Sequence, residues 1–125
     1  MMTSVMSRRI AARLLLLGAL SGAGLLVYGQ EHEKARDLVE RVQADLQRAA
    51  DFTRNNEKEQ ERYHNVQHHL SEFDRELRKG KFDKGKLDAT VDDLKNVVKN
   101  NTLESRDRDA LASDLSDLRT LRDTR

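Results

Sequence analysis

Apolar residues fall along this chain in two rhythms. Near the start they are contiguous, and Leu14–Gly29 reads LLLLGALSGAGLLVYG. Beyond that run they return at intervals of three and four, the spacing that puts side chains on one side of an α-helix. Four stripes follow. Ala35, Val39, Val42, Leu46, Ala49 and Phe52 form the first, widened by Leu38; Tyr63, Val66, Leu70, Phe73 and Leu77 form the second. Leu87, Val91, Leu94 and Val98, with Val97 alongside, form the third, and Leu111, Leu115, Leu118 and Leu121 the fourth. Nothing alternates with period two over a useful length. The spacing therefore predicts an all-α fold, a small bundle of four amphipathic helices at about 31–54, 57–79, 84–99 and 105–123.

The order of charges gives the same boundaries. Glu31, Glu33 and Asp37 open the first helix and Arg54 closes it; Glu57, Glu59 and Glu61 open the second, which Arg75, Arg78 and Lys79 close. Asp83 and Asp88 precede Lys95 and Lys99 in the third, and Glu104, Asp107 and Asp109 precede Arg119 and Arg122 in the fourth. Acids at helix N-termini and bases at C-termini are stabilised by the helix dipole, by about 0.3–1 kcal/mol each. Asn55-Asn56 breaks the first pair of helices, and Asn56 with Glu59 has capping-box spacing. Gly80 suits the position just past a helix end, Asp83 and Ser105 suit caps, and Asn100-Asn101-Thr102 ends the third helix. Without a break at Asn55-Asn56, the first two helices would fuse into one ~50-residue rod about 75 Å long, which favours a dimeric coiled coil.

The contiguous apolar run has a different meaning. Arg8, Arg9 and Arg13 precede it, and no acid occurs before Glu31. Its 16 residues match a secretory signal and fall short of the ~20 that a spanning helix needs. Val27 and Gly29 present small enough side chains for cleavage after Gly29, with Ser21-Gly22-Ala23 as a second site. Residues 1–29 are thus expected to be a signal peptide and 30–125 the helical domain, delivered to the periplasm or secreted. Ala11 and Ala12 stand where a twin-arginine signal needs bulky apolar residues, so the signal reads as Sec-type. Left uncleaved, residues 14–29 would anchor the helices to a membrane as a stalk.

Composition removes several function classes. Cysteine is absent, which excludes disulfides and lipid attachment at a signal-peptide cysteine. The chain has 23 basic and 22 acidic side chains; the signal takes three arginines with it and leaves 20 against 22. A near-neutral domain offers nucleic acid no electrostatic footing. A domain of this size has a thin core and no covalent or metal staple, so marginal stability or self-association is expected.

From Gly80 the chain carries Lys81-Phe82-Asp83-Lys84-Gly85-Lys86-Leu87-Asp88, then Asn101-Thr102-Leu103, Arg106-Asp107-Arg108-Asp109-Ala110-Leu111 and Asp114-Leu115. This pattern resembles a group of small exported bacterial helical proteins of unknown function. The resemblance implies export and helices, and implies no activity or ligand. On physical grounds Phe82 and Leu103 are expected to plug the ends of the bundle. The charged run Arg106 to Asp109 is expected to pair across the third and fourth helices on a solvated face.

The best chemical constellation lies on the second helix, where Glu61, His64, His68 and Glu72 recur at helical spacing with His69 adjacent. Glu61 and His64 form a Glu-x-x-His pair, and His64 and His68 stand one turn apart, as a divalent metal requires. A bridged di-metal centre needs a second such pair on another helix, and the chain has none. His64 and His68 also lie beside the apolar stripe, where they are expected to face water. His32 would be the third residue of a chain starting at Gln30, giving amine, amide and imidazole donors suited to Cu(II) or Ni(II). Cyclisation of Gln30 would remove that amine.

Enzyme signatures are missing: no cysteine nucleophile, Gly-x-Ser-x-Gly elbow, phosphate-cradling glycine loop or His-Glu-x-x-His occurs. Ser71 lies near His68 and Glu72 in sequence, but adjacent helical neighbours such as Ser71 and Glu72 point to different sides, and Asp107-Arg108-Asp109 lacks the rest of a calcium loop. The recurring pairs Asp37-Leu38, Asp45-Leu46, Asp93-Leu94 and Asp114-Leu115 read as core-edge patterning. The expected function is non-enzymatic and cofactor-free, a structural or protein-interaction role in the bacterial cell envelope. Its partner would be another protein or a second copy, with membrane contact only if the signal is retained. Periplasmic divalent-metal binding through Glu61, His64, His68 and His32 is the rival.

Overall fold

Four helices occupy the four stripes: α1 at Ala23–Phe52, α2 at Glu57–Arg78, α3 at Lys84–Asn100 and α4 at Ser105–Asp123. The computed structural model describes residues 23–125, with side chains from residue 32 onward. Residues Lys34–Arg125 form one compact unit and Met1–Glu33 a separate one. Most of the expected signal, including its arginines and Leu14–Gly22, lies outside the described residues. Among the described residues no helix is long and apolar enough to cross a membrane.

Cross-helix pairs within the compact unit define its topology. Arg36 near the start of the unit meets Asp74 late in α2, and Gln60 early in α2 reaches Ala50 late in α1, so the two run antiparallel. His69 with Asp93, and Glu72 with Lys86, join α2 to α3. Arg108 with the Val98 carbonyl, and Arg122 with Asp88, join α3 to α4. Arg41 of α1 reaches Asp114 and Asp117 of α4 and closes the ring. Each neighbour is antiparallel to the next, the up-down-up-down bundle that short connections permit.

The stripes converge as their spacing requires. Val42, Leu46, Val66, Leu70, Phe73, Leu87, Leu94, Leu111 and Leu118 are wholly inaccessible. Phe82 packs edge-on against Phe73 with ring centroids 5.3 Å apart, and Leu103 also lies against the core. Two members differ from expectation. Phe52 is 49% exposed, because α1 ends there and the stripe runs off its last turn; Ala50 is buried instead. On α3 it is Val97 that is fully buried, while Val98 is half-buried.

The caps explain where the helices stop. Asn56 accepts a hydrogen bond from the Glu59 N–H at 3.0 Å and Asp83 from the Lys86 N–H at 3.0 Å, each satisfying a donor left over in the first turn. Gly80 has φ +83°, and the Lys81 N–H bonds the Glu76 carbonyl at 2.9 Å while the Gly80 N–H bonds the Leu77 carbonyl at 2.9 Å. That is the Schellman arrangement, which needs a left-handed residue just past the helix. Helices α1 and α2 do not fuse.

Two boundary expectations are corrected. Helix α1 is already formed at Ala23, where the described residues start, so Glu31, Glu33 and Asp37 lie in its interior, and it stops at Phe52, before Arg54. Its last carbonyls are satisfied from outside, by Gln60 Nε2 donating to Ala50 O at 2.9 Å and Thr53 O at 3.0 Å. Ser105 is not the cap of α4 but its first residue. The Arg108 N–H already bonds the Glu104 carbonyl at 2.9 Å, so helical hydrogen bonding begins one residue earlier.

Candidate functional site

The histidine face of α2 is the site the sequence singles out. Glu61, His64 and His68 are all exposed there. His68 Nε2 lies 3.3 Å from Glu72 Oε2, and Glu72 also meets Lys86 at 3.5 Å. His69 turns towards α3, where Nδ1 lies 2.5 Å from Asp93 Oδ2. Of these histidines, His69 reaches a neighbouring helix, whereas His68 meets Glu72 on its own helix. Among the described residues no three histidine, cysteine or acidic side chains gather as a metal ion requires. His32 belongs to the other unit.

Two further clusters are more heavily buried. The first lies on the seam between α1 and α4. Asp114 is 1% exposed and accepts from Arg41 Nε at 3.0 Å, while a second nitrogen of Arg41 donates to Asp117. Asp45 faces Asp114 from α1 and is paired with Arg48 at 2.9 Å. Burial raises the pKa of Asp114, and Asp45 adds to this against the opposing pull of Arg41, bringing it to about 7. Burial also acts to raise Asp45, but its hydrogen bond with Asp114 and the Arg48 guanidinium outweigh it and leave Asp45 low. The two carboxyls therefore titrate as a pair, with Asp114 the one held up.

The second cluster sits at the end of the bundle where α2 and α4 begin. Glu59 Oε2 accepts from the Thr102 N–H at 3.0 Å and the Thr102 hydroxyl at 2.9 Å. It therefore does not return to Asn56, whose own N–H bonds Thr53 O at 3.0 Å, so only half of the capping box forms. Asn101, 4% exposed, donates to Glu59 O at 3.2 Å and accepts from Arg62 Nη1 at 2.9 Å. Burial acts to raise the pKa of Glu59, but the Thr102 donors, Thr53 and Arg62 outweigh it and hold the carboxyl below its ordinary value. The Tyr63 hydroxyl, pushed up by burial and by the Glu59 and Asp107 charges against the pull of Asn101 and Thr53, is enclosed without a well-formed hydrogen bond.

Asp107 corrects the reading of the charged run as a solvated face, for it is 2% exposed and close to Tyr63. Arg108 does pair across to α3, through the Val98 carbonyl at 2.8 Å. An open groove of about 510 Å³ has Val39, Glu40, Arg75 and Arg78 on its walls. It lies along the α1–α2 face, and Asp74 beside it ties both Arg36 and Arg78. Nothing in it juxtaposes a nucleophile with a base.

Spacing alone does not single out Asp114, Glu59 or Asp107. A signal existed: Asp114 stands on the arc of Leu111, Leu115 and Leu118, Glu59 one turn before Tyr63, and Asp107 one turn before Leu111. Each is an acid on an apolar stripe. Comparison with protein families, curated proteins and solved structures gives no match.

Proposed function

We propose that this chain is an exported, non-enzymatic helical protein of the bacterial cell envelope, acting by offering its helix faces to a protein partner or to a second copy. The observation that carries this reading is where the polar chemistry goes. Asp114, Glu59, Asn101 and Asp93 each bond to another element of the same bundle. Buried acids and amides thus hold helices in register instead of converging on a cleft. What faces outward is charged helix surface with open grooves such as the one between α1 and α2, suited to contact over area rather than to chemistry at a point. The arginine-flanked apolar run supports export.

Intact mass and N-terminal sequencing of protein from a fractionated bacterial host test this. Soluble envelope material starting at Gln30 is the expected result, and full-length protein in the cytoplasm would overturn export. Turnover of any substrate that a single substitution abolishes would overturn the non-enzymatic reading.

One observation favours a tethered variant of the same reading. Helix α1 runs without a break from Ala23 through Gly29 to Phe52, so a peptidase that reads extended backbone would have to unwind it. On this reading residues 14–29 stay as an anchor and α1 is a stalk. Full-length chain in the membrane fraction separates the two.

A further inference from the structure

The α1–α4 seam is unlike the other three. Each of those is closed by a short connection, whereas α1 and α4 are the first and last helices among the described residues, where side chains join them. Asp114 stands in the middle of that seam. Its Oδ1 accepts from Arg41, but its Oδ2 is buried with no hydrogen-bond partner. The group facing it is Asp45, a second carboxyl already committed to Arg48. An ionised carboxylate can only accept, so two of them face to face leave buried oxygens unsatisfied and like charges together. A proton on Asp114 supplies the missing donor, and Asp45 accepts it while keeping its arginine. Charge count agrees: Asp45, Asp114 and Asp117 share Arg41 and Arg48, three acids to two bases.

We propose that Asp114 and Asp45 hold one proton between them as a latch that fastens α1 to α4 and loosens when the proton leaves. The groups facing Asp114 are Arg41 and Asp45 from α1, with Arg48 behind Asp45, and Asp117 sits one turn along α4. Among the described residues no ion pair reaches it from α2 or α3. The device goes beyond the envelope reading and does not depend on it.

The sign follows from the raised value of Asp114. Between the ordinary carboxyl value of 3.8 and about 7, the folded chain holds a proton that the unfolded chain has lost. Stability from the latch is full at the acid end of that window, declines as pH rises through it, and is flat above. Asp45 has the opposite sense, its contribution being lost only as pH falls below 3.8.

Two measurements on the full chain test the latch. Carboxyl-carbon NMR, with Asp114 assigned by comparison with Asp114→Asn, should show its resonance moving near neutrality rather than with the ordinary carboxyls at about 4. Urea unfolding of wild type and Asp114→Asn between about pH 5 and pH 8 should show them diverging. The wild-type folding constant should fall about tenfold per pH unit, relative to the variant, until the proton is gone. Asparagine gives Asp45 a permanent N–H donor, so the variant should lose this dependence and keep its fold. Histidines titrate in the same range, which is why the difference between the proteins is read. Parallel pH curves, or an Asp114 resonance titrating with the other acids, would overturn the proposal. The NMR titration decides on wild type alone if the variant fails to fold.

Discussion

Truncating Glu59 to alanine should release the connection between α3 and α4. The carboxylate at this position is 6% exposed and accepts two hydrogen bonds from Thr102, at 3.0 Å from the backbone N–H and 2.9 Å from the hydroxyl. Hydrogen bonds to a charged group contribute about 1.5–3 kcal/mol each when buried. Thr102 itself is exposed, so water can replace part of what is lost, and Glu59→Ala is expected to cost about 2–3 kcal/mol. Glu59→Gln keeps one oxygen for Thr102 but not its charge, and should cost about 1 kcal/mol. With a urea slope of roughly 1 kcal/mol per M for a domain of this size, the midpoints should fall by about 2–3 M and about 1 M.

Glu57→Ala is the control, since Glu57 is exposed in the same first turn and should stay within about 0.5 kcal/mol of wild type. The pH dependence adds a second check. Because Glu59 lies below its ordinary value of 4.5, its contribution is present above that value and lost as pH falls through the lower, folded one. Glu59→Gln should therefore flatten the acid limb of the stability curve. If Glu59→Ala costs no more than Glu57→Ala, the Thr102 bonds do not hold the connection and the reasoning fails.

The other predictions concern separate parts of the bundle. Gly80 has φ +83° and no atom within 4 Å of where a Cβ would stand, so Gly80→Ala should cost only the backbone term of about 1–2 kcal/mol; a thermal midpoint lower by about 4–8 °C per kcal/mol would show it. Phe73→Ala should cost about 3–5 kcal/mol in chemical denaturation, and Phe82→Ala, half-buried at the edge of the core, markedly less. Titration calorimetry with Zn(II) and Cu(II) should show no saturable binding that the His64→Ala/His68→Ala double substitution removes, since His68 is directed to Glu72 and not to His64.

How much of this was legible follows from what each signal depends on. The stripes needed only spacing within a helix, and Val42, Leu70, Leu94 and Leu111 are buried as that spacing requires. Gly80 and Asp83 were legible for the same reason, because a cap is satisfied by residues two or three positions away. The ends of α1 were not. Its C-terminal carbonyls are met by Gln60, a residue of the next helix, and a dipole rule applied to α1 alone cannot see it.

The acids were hidden by a longer dependence. Asp37, Asp45, Asp93 and Asp114 all precede an apolar residue, and nothing local separates them. Asp37 is exposed and Asp93 half-exposed, whereas Asp45 and Asp114 face each other across 69 residues of chain. Such a pair is tolerated only because Arg41, one turn before Asp45, reaches the same spot from α1. The sequence-level sign was an acid occupying an apolar position on a stripe, and that sign says a partner must exist without saying which. Here the partner is a second acid, a combination that requires a proton as well as an arginine. Leucine at position 114 would bind no proton at this seam and would leave Asp45 facing an apolar side chain and Arg41 with Asp117 alone. Asp114→Leu should therefore unfold at a lower urea midpoint than wild type at about pH 5, with the gap narrowing by about pH 8 as the wild-type proton leaves.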